Sequence, residues 1–394
     1  MSASRLNPSA IRMASTRMAP LAAALACAVG AMSAVSAQAS ELVVKIGHVA
    51  PMTGPQAHYG KDNENGARMA VEDLNKKGIT IGGQKVRFEL VPEDDAADPK
   101  QGAVVAQKLC DAKVAGVIGH LNSGTTIPAS RIYNDCGIVQ ITPAATNPKI
   151  TQQGYKGMFR VIAHDGMLGV ALGDYAVKEL KAKKVVVIDD RTGYGQPLAD
   201  IFTETVKKAG GNVVDRQYTN DKATDFNAIL TAVKGKNPDV VFYGGMDAQA
   251  GPMLRQMKQL GIKASFMGGD GICTAELVKL GGDNVGKNVI CGEGGMDLNK
   301  MAGGAAFEKR YKETFKSDIQ LYAPFVYDAT MVLATAMQKS NSVDPAKYVA
   351  ELQKMDYKGL VGAIRFDDKG DIKNGAITLR TYVDGKKSAL AVIN

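Results

Sequence analysis

The stretch GVIGHLNSGTTIPASRIYNDCGIVQITPAATNP, residues 116–148, contains two short apolar runs that each end in small hydroxylated residues. The first run stops at Gly119 and His120 and reaches a helix through Asn122-Ser123-Gly124. The second run, 138–141, breaks into Thr142-Pro143-Ala144. Apolar, β-branched runs that alternate with helical stretches predict parallel strands with helices on both faces of a sheet. Ligands bind beyond the carboxyl ends of such strands, so this stretch predicts a binding site.

The same alternation of strands and helices continues on both sides of this stretch. The predicted strands are 43–47, 86–91, 115–118, 138–141, 184–189, a strand beginning at 213, 239–243 and 265–268, and the predicted helices are 65–77, 99–110, 197–209, 226–233, 253–260, 307–315 and 330–339. A terminal β stretch begins near residue 364. Two runs of βα units predict an α/β protein with two Rossmann-like lobes and parallel sheets. Because no low-complexity linker divides them, we expect lobes joined by several crossing strands.

The first 39 residues are typical of an export signal. Arg5, Arg12 and Arg17 precede an apolar stretch at 18–34, and Ala37-Gln38-Ala39 has the small residues of a cleavage site. We therefore expect an exported protein that is cut after Ala39. A membrane anchor and lipid attachment at Cys27 are the alternative interpretations.

Composition and charge argue against several classes of partner. The chain has 48 Lys and Arg against 40 Asp and Glu, which are scattered along it, and it has no Trp. The absence of a basic stripe with interleaved aromatic residues argues against nucleic acid as a partner. The four histidines stand singly, without the H-E-x-x-H, G-x-S-x-G or P-loop motifs, so we predict no catalytic residues and no cofactor.

Four cysteines follow the export signal, and an even number is typical of disulfides in an oxidising compartment. Cys110 and Cys136 each end a predicted helix just before a strand, so neighbouring units place them side by side. Cys273 and Cys291 flank one helical segment and are positioned to close a second loop. Metal binding is the competing interpretation. No C-x-x-C pair occurs and the histidines are far apart, so we predict no metal site.

The polar residues at the strand ends suit a ligand that carries both charges. Ser123 and Thr125 precede a helix whose first amides lack intrahelical acceptors, which favours an anion such as a carboxylate. Ala144 and Thr146 offer a carbonyl and a hydroxyl to an ammonium group. Asp270, among glycines, supplies a negative charge. Ordinary helix capping and a plain turn are the alternatives for these stretches.

Five motifs resemble the branched-chain amino-acid-binding proteins of bacterial ABC importers. They are DDAADPKQ at 94–101, IGHLNSGTTIPAS at 118–130, ITPAATNP at 141–148, YGQPLA at 194–199 and FMGGDGI at 266–272. The resemblance covers essentially the whole chain after the export signal. It implies the type I periplasmic binding protein fold, with two lobes joined by a three-strand hinge that close around a free amino acid. It also implies a periplasmic monomer whose partners are the ABC permease subunits of the inner membrane.

The same resemblance assigns roles to individual residues. Ser123 and Thr146 are expected to bind the ligand carboxylate, and Ala144, Thr146 and Asp270 the ammonium. The other expected ligand contacts are Leu121 and Asn122 beside the ligand, Tyr59 and Phe325 near its side chain, Tyr194 from the second lobe, and Met246. The first lobe is expected to comprise residues 40–163 and 295–365, and the second lobe residues 164–294 and 366–394.

Three positions depart from the family pattern and bear on the ligand's identity. Asp270 stands where glutamate is usual, Met246 stands where tyrosine is common, and Asp328 is a carboxylate without an assigned role. Leucine, isoleucine and valine lead as ligands by resemblance, and related neutral amino acids follow. The alternative function is a periplasmic module that presents a different amino acid or a small carboxylate to a membrane-bound sensor.

Overall fold

Two β-sheets organise residues 41–393, which are the part of the chain that the computed structural model describes. The predicted export signal and its cleavage after Ala39 lie outside these residues. Among the helices of 41–393, none combines the length and the apolar character needed to cross a membrane. Each sheet carries its own helices, and a sheet with its helices is called a lobe below.

The first sheet has six strands. They are β1 (Leu42–Ala50), β2 (Thr80–Ile81), β3 (Gln84–Asp94), β4 (Val117–Gly119), β5 (Gln140–Thr142) and β6 (Met158–Arg160). Their order across the sheet is β2-β3-β1-β4-β5-β6. All neighbours pair in parallel except the short β2, which forms an antiparallel pair with β3. The predicted parallel sheet is therefore confirmed in this lobe.

The second sheet contains the strands of the later βα units and the C-terminal strands. They are β7 (Val185–Asp189), β8 (Val213–Tyr218), β9 (Val240–Gly244), β10 (Ser265–Gly268), β11 (Val289–Gly294), β14 (Ile377–Val383) and β15 (Lys386–Ile393). Strands β7 to β11 are parallel, whereas β14 and β15 add an antiparallel edge. A separate hairpin, β12 (Tyr357–Gly359) and β13 (Gly362–Ile364), precedes them.

Twelve α-helices lie within residues 41–393. They are α1 (Ala57–Lys77), α2 (Pro99–Asp111), α3 (Ser123–Asp135), α4 (Lys149–Gln152), α5 (Asp165–Lys178), α6 (Gly195–Lys208), α7 (Asn227–Lys236), α8 (Asp247–Gln259), α9 (Ala275–Gly281), α10 (Gly304–Phe315), α11 (Ala323–Lys339) and α12 (Pro345–Gln353). Local sequence sets several ends. Asp98 caps α2 by accepting the amides of Lys100 and Gln101 at 2.8 and 3.0 Å, and Gly78 ends α1 at φ 64°.

The helix predictions were incomplete at some ends. Helix α1 begins at residue 57 rather than 65, and α11 begins at 323 rather than 330. Helices α4, α5 and α12 were not predicted. Helix α5 is apolar around most of its circumference because it packs against α6, β11 and β14, so it lacks a clear amphipathic period.

The chain crosses between the sheets three times, after β6, after β11 and after β13. The third crossing segment is hydrogen-bonded to the end of β6 and to the second crossing segment. The Arg160 amide donates to the Gly370 carbonyl at 2.8 Å, and the Gly295 amide donates to the Ala376 carbonyl at 2.7 Å. The prediction of two lobes joined by several crossings is therefore confirmed.

Both predicted cysteine pairs form disulfides. Cys110–Cys136 joins the ends of α2 and α3, with 6.1 Å between the Cα atoms. Cys273–Cys291 joins the turn after β10 to strand β11, with 5.4 Å between the Cα atoms. The competing interpretation was a metal site. Within the described part of the chain, no three or more potential metal ligands are grouped together.

Candidate ligand-binding site

A small cavity lies where the carboxyl ends of strands from both sheets meet. Its lining combines loops of the first lobe with loops of the second. The lining residues are Leu121, Asn122, Ser123, Ala144, Thr146, Tyr194, Met246, Asp270 and Tyr322. All but Tyr322 were predicted from the sequence as ligand contacts. Residues 116–148 supply five of the nine lining residues, which places the strand ends of β4 and β5 at one wall of the cavity.

The N-terminus of α3 provides hydrogen-bond donors to this cavity. Within residues 41–393 the amides of Ser123 and Gly124 have no backbone or side-chain acceptor, because they lie in the first turn of the helix. The Ser123 hydroxyl accepts the amide of Asn147 at 3.2 Å. The backbones of Gly124 and Gly193 approach so closely that a Cβ on Gly193 would lie 2.9 Å from the Gly124 Cα atom. A small anion is the ligand group that such donors accommodate.

The loop after β5 provides acceptors instead of donors. The Thr146 hydroxyl is buried without a partner in the described chain, and the Ala144 carbonyl accepts no hydrogen bond there. Arg160 supports this loop from behind, donating to the carbonyls of Ala145 and Asn147 at 3.2 and 2.8 Å. Asp371, from the third crossing, accepts from Arg160 Nε at 2.8 Å. The acceptor loop is thus attached directly to the hinge.

Asp270 follows β10 and is 1% exposed. Tyr194 donates its hydroxyl to Oδ1 at 2.7 Å, and Tyr322 donates its hydroxyl to Oδ2 at 2.9 Å. The Gly271 amide adds a third contact at 3.1 Å. Burial raises the pKa of Asp270 to about 6, and the two tyrosine hydrogen bonds oppose that rise. An ammonium group beside this carboxylate would favour its ionised form.

Several hydrogen bonds join the two lobes around the cavity. Tyr59 of α1 donates its hydroxyl to the Gly271 carbonyl at 2.8 Å. His58 Nε2 lies 2.9 Å from Oδ2 of the buried Asp247 at the start of α8. Asn147 Nδ2 donates to the Gly193 carbonyl at 2.7 Å. These contacts hold loops of the second lobe over the first, so the structure is that of closed lobes.

Three residues singled out from the sequence do not line this cavity. Phe325, three residues beyond Tyr322, lines two larger cavities next to the crossing segments. Asp328, which had no assigned role, is buried and accepts the Val361 amide at 2.8 Å, so it supports the turn between β12 and β13. Tyr59 also lies outside the lining, although its hydroxyl reaches Gly271 beside Asp270.

Tyr322 is the lining residue that sequence reasoning missed. It lies just before α11, far along the chain from every motif that carries the family resemblance. An aromatic residue ahead of an apolar helix is usually part of the core, so the sequence offers no specific signal for it. Only the contact between the lobes brings its hydroxyl to Asp270.

This chain resembles known proteins in both sequence and fold. The family model described as "Periplasmic binding protein" matches residues 43–386. An "Amino acid binding protein" of Pseudomonas aeruginosa is 39% identical and covers 89% of this chain and 92% of its own length. A "Leucine-, isoleucine-, valine-, threonine-, and alanine-binding protein" of the same organism is 36% identical, and the alignment covers 92% of this chain and 95% of that protein. The crystal structure of a leucine-binding protein from Thermotoga maritima is 29% identical and superposes with a TM-score of 0.83. The superposition covers 89% of this chain and 99% of that chain.

Proposed function

This chain belongs to the periplasmic binding protein family, and from that premise we propose that it captures a free amino acid for an ABC importer. Leucine, isoleucine and valine lead as ligands, because relatives that cover nearly the whole chain bear those names. Family membership makes it a substrate-binding protein, and we propose that it has no enzymatic activity of its own.

The observation that carries this proposal is the pairing of opposite polarities across one small cavity. Within residues 41–393 the amides of Ser123 and Gly124, at the start of α3, have no acceptor, whereas the Ala144 carbonyl, the Thr146 hydroxyl and the Asp270 carboxylate offer acceptors at the same cavity. A group of donors favours a carboxylate, and a buried acid favours an ammonium group. An α-amino acid carries both groups one carbon apart. The apolar walls, Leu121 and Met246, then face its side chain.

The proposed mechanism is capture followed by closure. The first lobe binds the head group through Ser123 and Thr146, and the second lobe then brings Tyr194 and Asp270 over it by rotation about the three crossings. We propose lobe boundaries of 40–163 with 295–365 and 164–294 with 366–394. The permease subunits would bind the closed form in preference to the open form, because only closure brings the two lobe surfaces into one arrangement.

Export through a cleaved signal completes the proposal. Proteins of this family that serve ABC importers act in the periplasm, and we propose cleavage after Ala39. Mass spectrometry of the protein recovered from the periplasmic fraction tests this, because the mature chain would begin at Ser40. A mass that includes residues 1–39 or a lipid would contradict it.

Ligand analogues test the head-group assignment. The protein is unfolded, dialysed and refolded to remove copurified ligand, and calorimetry then compares leucine with leucinamide and 4-methylpentanoate. Leucinamide lacks the carboxylate and 4-methylpentanoate lacks the ammonium group, so each is expected to bind at least about 100-fold more weakly. Equal affinity for leucine and either analogue would refute the assignment. No heat with any neutral amino acid would refute the proposed function itself.

A further inference from the structure

His58, in the first turn of α1, contacts the second lobe without lining the small cavity. We propose that His58 is a positioning residue. Its hydrogen bond to Asp247 holds two ligand-binding loops of the second lobe against the first lobe and so slows the release of the ligand. This inference rests on the proposed function, since it concerns the amino acid that the small cavity would bind.

The geometry of the contact between His58 and Asp247 carries the first step of the inference. His58 Nε2 lies 2.9 Å from Asp247 Oδ2. A carboxylate oxygen only accepts hydrogen bonds, so Nε2 carries the hydrogen and donates it. The Asp247 side chain is fully buried, and the His58 side chain is 18% exposed. A hydrogen bond to a buried carboxylate is stronger than the same bond in water, so its loss has a measurable effect.

Asp247 joins two loops of the second lobe that reach the small cavity, which is the second step. It directly follows Met246, a lining residue, at the start of α8. The Thr274 hydroxyl donates to the same Oδ2 atom at 2.6 Å. Thr274 belongs to the loop after β10, which also carries Asp270. His58 therefore binds the point at which the Met246 loop and the Asp270 loop are joined.

The third step concerns the ring of His58, which makes a contact of a different kind. The ring centroids of His58 and Tyr59 lie 4.1 Å apart, with 37° between their planes. Tyr59 in turn donates its hydroxyl to the Gly271 carbonyl at 2.8 Å. The donor atom of His58 thus acts on Asp247, whereas its ring contacts Tyr59. A test of the proposal must separate these two contacts.

The hydrogen bond joins different lobes, and this decides which rate constant it affects. Rotation about the crossing segments separates His58 from Asp247, so the bond exists only in the closed form. The ligand enters before the bond forms and leaves only after it breaks. Loss of the bond should therefore raise the dissociation rate constant koff and leave the association rate constant kon nearly unchanged. A hydrogen bond to a charged group corresponds to a factor of about 10 or more.

Two variants separate the donor from the ring. His58→Gln keeps an N–H donor at the same number of bonds from the Cα atom but has no ring, and His58→Phe keeps a ring but has no donor. His58→Phe is expected to raise koff for leucine about tenfold or more, with kon changed less than about threefold. His58→Gln should stay within about threefold of wild type in both rate constants. Lys61→Ala is the matched control on α1, because Lys61 is exposed and has no side-chain hydrogen bond within residues 41–393, and it should change neither.

Stopped-flow tyrosine fluorescence of the refolded, ligand-free protein gives both rate constants, since the chain has 13 Tyr and no Trp. Calorimetry measures the dissociation constant of leucine independently, and melting temperatures show that each variant is folded. A double-mutant cycle then tests the acceptor. In an Asp247→Ala background, His58→Phe should change koff less than about threefold, because the acceptor is already absent. The His58 variants decide the question by themselves if Asp247→Ala fails to fold.

The outcomes distinguish this inference from the function on which it rests. An unchanged koff and an unchanged dissociation constant in folded His58→Phe would overturn the positioning role while leaving the amino-acid receptor in place. An equal rise in koff for His58→Gln would overturn it too, because the ring contact with Tyr59 would then be responsible. A full effect of His58→Phe in the Asp247→Ala background would do the same. Failure of the wild-type protein to bind any neutral amino acid would overturn the proposed function and this inference together.

Discussion

Lowering the pH should weaken ligand binding through Asp270. The carboxylate is buried, and its pKa in the ligand-free protein is raised to about 6. An ammonium group in the site favours the ionised form, so the ligand and a proton compete for the same group. Affinity is therefore full above the raised pKa and is lost as the pH falls through it.

The structure sets the size of this effect. With a pKa of about 6, protonated Asp270 outnumbers ionised Asp270 about tenfold at pH 5, whereas the ionised form dominates at pH 7. The dissociation constant should therefore rise about tenfold between pH 7 and pH 5, equivalent to about 1.4 kcal/mol. Hydrogen bonds from Tyr194 and Tyr322 stabilise the ionised carboxylate in the free protein, and they therefore keep its pKa from rising above this value.

Calorimetry of leucine binding at four pH values from 7 to 5 measures the change, with Asp270→Asn as the matched control. The variant cannot ionise, and it should bind leucine on the order of 100-fold more weakly at pH 7, since a buried charge pair is lost. Protonation of other groups would affect both proteins alike. A wild-type affinity that does not change over this range, or an equal decline in Asp270→Asn, would refute the reasoning.

Three further perturbations test the supporting structure. Burial raises the pKa of Asp328 to about 7, so between about pH 4 and pH 7 the folded protein binds a proton that the unfolded chain releases. The wild-type protein therefore loses stability as the pH rises through this range. By urea unfolding, Asp328→Asn should be more stable than wild type by on the order of 2–4 kcal/mol at pH 8 but not at pH 4. A Cys110→Ser, Cys136→Ser double variant should lose about 3 kcal/mol in the same assay, because the bond closes a loop with a sequence separation of 26, and an unchanged unfolding midpoint would contradict this. Arg160→Lys should lower both the melting temperature and the affinity for leucine, because a lysine cannot bind the Asn147 carbonyl and the Asp371 carboxylate together. A lower melting temperature with unchanged affinity would show that Arg160 does not position the acceptor loop.

The architecture could be read from the sequence because its signals are local. Apolar, β-branched runs predicted most parallel strands of both sheets, although β6 and β11 were not predicted. The positions of the cysteines around predicted helices indicated both disulfides. Helix boundaries were less certain: α1 begins eight residues before its predicted start because its first turns contain polar residues that are buried against other elements. Asp62 and Asn63 are examples, and their burial depends on contacts with distant parts of the chain.

The polar part of the site was also accessible from the sequence. Ser123, Ala144 and Thr146 follow strand ends, and parallel sheets place such ends at one edge. Asp270 stood out as an acid among glycines. The structure brings all four to one cavity.

The sequence by itself determined the strand-helix order, the disulfide pairs and the polar groups at the strand ends, because each depends on residues close together in the chain. Only the tertiary structure decided which aromatic residue closes the cavity. Tyr322 and Asp270 are 52 residues apart and lie in different lobes, so their hydrogen bond forms only when the lobes meet. Tertiary contacts also decided that Phe325 lies beside a neighbouring cavity and that Asp328 supports a hairpin turn. Long-range packing, which no local pattern encodes, determines the size and shape of the site.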